Sequence, residues 1–192
     1  MTTLLPKITS TLKNATLARS RGRMPYVPQA IVDKRPKERY YSLLVPSEKD
    51  ISPFISVLHG ARNDVLRINF VCMAVYECYL YAYGLPSNFP KEQIIVLGED
   101  RVKYIPCRSC YYGGKHLYEY ELTVPASTER EEYQQRIIND FNEHFQLDVN
   151  VEKLSIVKES RPIGEDGKSV ELIWDEQITM IMRKKPTRII EK

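Results

Sequence analysis

The chain has 192 residues, of which 43% are hydrophobic and 28% charged, with a net charge of +3 and four cysteines. That length suits one domain, or one domain with an arm, and buries about two-thirds of the unfolded surface without needing a staple. The composition excludes wholesale disorder, and no apolar run reaches the ~18 residues that a bilayer-spanning helix requires.

Charge is unevenly spread: residues 1–39 hold nine Lys and Arg against two acids, a surplus of seven that leaves −4 for residues 40–192. The first acid is Asp33, and prolines stand at positions 6, 25, 28 and 36, with Leu5, Ile8, Leu12 and Ala15 forming a short apolar stripe. The expectation is a flexible basic arm over 1–39. An organellar targeting peptide and a nucleic-acid-binding tail are alternatives that the same composition allows. A secretory signal is not legible, because no continuous apolar stretch of ~7 residues occurs there.

The domain is expected over 40–192. Tyr40–Val45 reads as a strand ended by Pro46, and Asp50–His59 as a short helix closed by Gly60. In the run NFVCMAVYECYLYAYG, Asn69 is the expected N-cap and Gly84 the C′ residue of a nearly all-apolar helix about 22 Å long. Tyr76, Tyr79 and Tyr83 share one face of it at the i, i+3, i+7 spacing. With Tyr111 and Tyr112 they are candidate contacts for a protein partner, since a tyrosine ring offers large area at small entropic cost. Core packing is the plainer reading of the same stripe.

Gln93–Leu97 is a short strand, Asp100–Lys115 a loop, and Leu117–Val124 a strand stopped by Pro125. Thr128 and Glu131 have capping-box spacing, ahead of a helix whose inner face is Tyr133, Ile137, Ile138, Phe141 and Phe145. Leu147–Lys158 and Ser169–Lys184 then read as the two strands of a long-looped hairpin, with Trp174 expected to anchor the packing. Tyr41-x-Leu43-x-Val45-Pro46 recurs 79 positions later as Tyr120-x-Leu122-x-Val124-Pro125, which suggests two strand–helix–strand halves sharing one sheet.

Chemical motifs are sparse. Cys107 and Cys110 have the spacing of a redox couple, but the helix N-terminus that would lower a thiol pKa does not follow them: Tyr-Tyr-Gly-Gly and a strand do. A four-cysteine metal site needs a second close pair, and Cys72 and Cys78 are six apart, so no metal is expected. His59, His116 and His144 are far apart in sequence and in no ligand spacing. Gly113-Gly114-Lys115 lacks the frame of a phosphate loop, and Glu129, Glu131 and Glu132 suit a helix start without any catalytic task. The basic runs 19–23 and 183–188 read as solvated charge. No cofactor is implied.

Ala82-Tyr83-Gly84, Gln93–Leu97, Tyr120-Glu-Leu-Thr-Val-Pro125 and the run from Asp140 through Leu147 to Glu152-Lys153 together resemble a domain family of unknown function. That family occurs alone in soil-associated bacterial proteins and as a C-terminal extension of Bacteroidetes thioredoxin-like (TlpA-type) proteins. The resemblance covers residues 65–160 and implies a place in the bacterial cell envelope, with no catalytic residue to carry over. The expected fold is α+β, a mostly antiparallel sheet packed by two main helices. The expected function is a non-enzymatic binding or accessory module for a protein partner. A thiol redox accessory using Cys107 and Cys110, and a nucleic-acid-associated protein using residues 1–39, are the alternatives.

Overall fold

Two strands that are buried along most of their length lie at the centre of the domain. In a computed structural model, which describes residues 29–48, 51–60, 64–107, 116–163 and 169–186, the chain folds as α+β with three α-helices and seven strands among those residues. Sheet A is antiparallel in the order β1 (Tyr41–Pro46), β5 (Leu117–Val124), β3 (Val65–Ala74), β2 (Phe54–Gly60). Sheet B holds β4 (Ile94–Leu97) parallel to β7 (Ser169–Lys184), which pairs antiparallel with β6 (Leu147–Ile163). The helices are α1 (Gln29–Asp33), α2 (Val75–Ala82) and α3 (Arg130–Phe145).

The apolar run at 69–84 is therefore not one helix. β3 is a central strand buried along most of its length and continues to Ala74, with Asn69 inside it rather than capping anything. A central strand reads as a continuous hydrophobic run, which periodicity cannot tell from a buried helix. Cys72 carries the switch: its φ of +54° lies in a bulge between Phe70 and Met73, where pairing with β5 shifts and the chain turns into α2. Glu77 then accepts the Ala74 amide at 2.8 Å, supplying the carboxylate half of a capping box, and Gly84 at φ +66° takes the expected left-handed C′ position.

Three further expectations fail for identifiable reasons. Residues 54–60 form strand β2 and not a helix, since Ile55, Val57 and His59 line up with Phe70, Ile68 and Leu66 across the β2–β3 pair. Helix α3 starts one residue late, from Glu129, and no side chain caps it. The repeated Tyr-x-Leu-x-Val-Pro motif does not mark two strand–helix–strand halves: β1 leads into a strand, and the two echoing strands pair with each other, Tyr41 opposite Thr123. The domain also begins before residue 40. Ile31 of α1 is fully buried, and Arg35 reaches Glu121 on β5 through Nε at 2.8 Å and Nη2 at 2.7 Å.

Sheet A, α2, α3 and the base of sheet B close on one core whose hub is Phe141. Its ring, fully buried, meets Tyr120 at 5.2 Å, Tyr79 at 5.8 Å, Phe145 at 5.9 Å and Phe70 at 6.4 Å between centroids. The contacts with Tyr120 and Tyr79 are edge-to-face, a geometry that adds ~0.5–1.5 kcal/mol to the area term. One residue beyond α3, Gln146 at φ +54° reverses the chain directly into β6. Phe141→Ala should accordingly lower unfolding stability by about 3–5 kcal/mol in a urea titration. A loss within 1 kcal/mol would show that α3 is not the keystone.

Candidate interaction surface

The tyrosines singled out on α2 are interior. Tyr79 is 1% exposed and donates its hydroxyl to Asn142 Oδ1 at 2.8 Å; Tyr76 is buried with its hydroxyl on Glu77 Oε1; half-buried Tyr83 donates to the Val149 carbonyl. Burial pushes the Tyr79, Tyr81 and Tyr120 phenols far up, and for Tyr120 the Asp140 carboxylate 2.6 Å away adds to it. The Tyr76 and Tyr79 rings are spent on packing α2 into the core, while Tyr81 and Tyr83 stay partly exposed. Tyr111, Tyr112 and Cys110 lie outside the described residues.

Cys107 is exposed and disulfide-bonded, and among the described residues no α-helix starts after it before strand β5. Cys72 and Cys78 are buried and not disulfide-bonded, one on the β3 bulge and the other on α2; burial and the neighbouring Glu77 raise the Cys78 thiol well above its ordinary value. Neither should react with a soluble disulfide reagent in native protein, and both should in denaturant. Rapid native labelling of either would mean that the β3–α2 junction opens.

The outer face of sheet A carries a buried polar cluster. Glu121, fully buried, takes the Arg35 fork and the Tyr41 hydroxyl, and the Arg67 Nε lies 3.8 Å away. Thr123, 1% exposed, accepts the Tyr41 amide at 3.0 Å. Both oxygens of the Glu121 carboxylate are engaged by protein donors, so the cluster ties the 29–41 segment down instead of presenting a reactive acid. Desolvation first, and the hydrogen bond to Glu121 second, raise the Tyr41 phenol from 10.0 to about 12. A phenol whose folded pKa is raised contributes stability that is complete below pH 10 and fades as pH climbs through about 12. Absorbance titration of the phenolates should show a step near pH 12 that Tyr41→Phe abolishes, and that variant should lose less stability between pH 10 and 12 than the parent.

Folding also brings together two histidines that the sequence keeps apart. His116 and His144 line one cleft of about 290 Å³ with Tyr104, Tyr118 and Lys184. Glu99 there is occupied by Lys103 at 2.6 Å and Lys184 at 3.3 Å, and these contacts hold its carboxyl below the usual range, Lys103 first. Among the described residues no group of three His, Cys, Asp or Glu side chains is arranged to hold a metal ion.

What the domain does present is a ribbon. β4 pairs with β7 only over Met180–Arg183, so among the described residues the pairing of Val170–Ile178 with Lys153–Pro162 continues beyond it as two strands. At ~3.3 Å per residue this arm is about 30 Å long. Alternate β7 residues share a face, and the face that buries Met180 and Met182 in the core continues outward as Ile178, Trp174, Leu172 and Val170, with Val157 opposite Trp174. These five side chains are 40–59% exposed, Trp174 most of all. Trp174 is thus no anchor of packing. Charge on this face is confined to Lys153 and Glu176, 3.9 Å apart, while Glu152, Glu159, Arg161, Glu171 and Asp175 stand on the other.

Sequence reasoning saw the hairpin and missed the arm. The available signal was length: strands of 17 and 16 residues outrun the ~5–6 that a domain of this size can cover. No family model, curated protein or solved structure matches the chain. Among the described residues no helix is long and apolar enough to cross a membrane.

Proposed function

We propose that this protein is a non-catalytic protein-binding module and that the β6–β7 ribbon is its docking arm. One observation carries the reading: five apolar side chains, including the only tryptophan, lie exposed along one face of a two-stranded arm. An isolated ribbon is at best marginally stable in water, and a contiguous apolar patch on a monomer is a mark of an interaction site. Near-neutrality of that face suits an apolar partner surface. The family resemblance supports a partner in the bacterial cell envelope.

The rival readings have less to stand on. A redox accessory draws on the exposed, disulfide-bonded Cys107 but lacks a helix start beside it among the described residues. For nucleic-acid binding, residues 1–28 lie outside the described part, and Arg35 of the remainder is committed to Glu121.

A photo-crosslinking residue placed at Trp174, compared with one at Val102, which is 48% exposed on the turn after β4, tests the reading in cells that make the protein. The expected result is a discrete adduct from position 174 that Val157→Ser with Leu172→Ser removes, while unfolding stability stays within about 0.5 kcal/mol of the parent. Reducing the Cys107 disulfide should leave that adduct in place. The same adducts from both positions, or none from position 174, would overturn it.

A further inference from the structure

Tyr76, Tyr79 and Tyr120, buried in the core, each spend the phenol hydroxyl on a partner: Glu77, Asn142 and Asp140. Tyr104 is as deeply placed, at 3% exposed, but its hydroxyl meets no hydrogen-bond partner among the described residues. Its electrostatic neighbours are Glu99, Lys103 and Tyr118, all in the wall of the cleft that His116 and His144 share. A buried tyrosine hydroxyl usually finds a partner, so one left over at a cleft is a feature to be explained.

Separate elements bring polar groups to this cleft. Gly98, at φ +80°, turns the chain off the end of β4 and lays Glu99 against Lys184 of the neighbouring β7, at 3.3 Å. The turn Arg101–Lys103 returns Lys103 to the other oxygen of the same carboxylate, at 2.6 Å. The rings of Tyr104, Tyr118 and His144 all stand edge-on to Phe145, at 6.3, 5.0 and 4.8 Å between centroids. Standing around one ring, their polar ends fall within reach of one small ligand.

The charge balance selects an anion. Two ammonium groups against one carboxylate leave a surplus of one positive charge with both histidines neutral, and each ammonium keeps at least one N–H beyond its bonds in the protein. The C-terminal end of α3 would by itself repel an anion, but Lys184 donates to the Phe145 carbonyl at 3.1 Å and offsets it. Burial first, and then the Glu99 carboxylate, raise the Tyr104 phenol, and burial raises Tyr118, so both stay protonated donors at neutral pH. A planar carboxylate is best met by an arginine fork, whereas lysines act as point charges that suit a phosphate. The described wall has lysines and no arginine.

We propose that this cleft binds a phosphoryl group, held by the Tyr104 and Tyr118 hydroxyls, the His116 and His144 rings and the remaining N–H groups of Lys103 and Lys184. At about 290 Å³ it exceeds the ~150 Å³ that accepts benzene, so a small organic remainder fits beside the phosphate. The site lies at the end of α3 and does not involve the exposed face of the ribbon.

The isotope-labelled full chain is titrated at constant ionic strength with inorganic phosphate, phenyl phosphate and acetate and followed by NMR. Inorganic phosphate should bind saturably and shift the His116 and His144 ring signals and the amides of residues 99–104, with acetate about tenfold weaker or worse. Tighter binding of phenyl phosphate assigns the site to a phosphate ester, and weaker binding to the free ion. Tyr104→Phe and His144→Gln should each weaken phosphate about tenfold, the usual loss of one hydrogen bond to a charged group. Neither should move the unfolding midpoint, since the Tyr104 hydroxyl has no internal bond to lose and His144 is exposed. Lys158→Gln, which removes a lysine of the ribbon, should leave the affinity within about twofold. No saturation by phosphate, equal affinity for acetate, an unchanged affinity in either cleft variant, or an equal loss in Lys158→Gln would overturn the proposal. The ribbon reading stands or falls separately, because neither cleft substitution touches residues 153–178.

Discussion

Burial of the Phe141 ring is the constraint on which the rest of the architecture hangs. Through that ring α3 is held at once to Tyr120 on β5, Phe70 on β3 and Tyr79 on α2. Phe145, one turn on, adds Tyr118 and Tyr104 at 5.0 and 6.3 Å. Because β6 starts two residues after Phe145, the direction in which the ribbon leaves the domain is set by how that helix end is packed. A rigid aromatic base and a projecting arm are therefore parts of one design: side chains with few rotatable bonds order the root at small entropic cost, while the tip remains available.

The opposite face of sheet A follows different physics. Glu119, Glu121 and Thr123 alternate along β5 and all three are buried: Arg35 covers Glu121, the Arg39 carbonyl meets Thr123, and Ser47 reaches Glu119. Sealing a carboxylate is costly unless each oxygen is met, and here a guanidinium fork and a phenol meet Glu121. Such a cluster adds less to stability than an apolar layer of equal area would. Its effect is to dictate one docking position for the segment ahead of β1.

Legibility varied with how local the deciding physics was. α3 was readable because an amphipathic surface helix displays its period, with Ile137, Ile138 and Phe141 inward and Arg136 and Glu143 outward. The β3–α2 run was misread because burial on every side erases periodicity, and the dividing residue, Cys72 with positive φ, carries no glycine to announce itself. Trp174 looked like an anchor since tryptophan usually is one; its exposure follows from β4 ending at Leu97 while β6 and β7 run on. The cleft shared by His116 and His144 and a pocket where Ile55 meets Met73 join residues 28 and 18 positions apart, which no spacing rule addresses.

By itself, the amino-acid order determined the α+β class, the strands β1, β4 and β5, the helix α3 and the hairpin of β6 with β7, since each rests on a periodic pattern or a turn signal within a few residues. Only tertiary structure decided which apolar residues are interior. Tyr76 and Tyr79 went in and Trp174 stayed out, because burial depends on which element lies opposite, and that is a property of strand order and helix placement, not of neighbours along the chain.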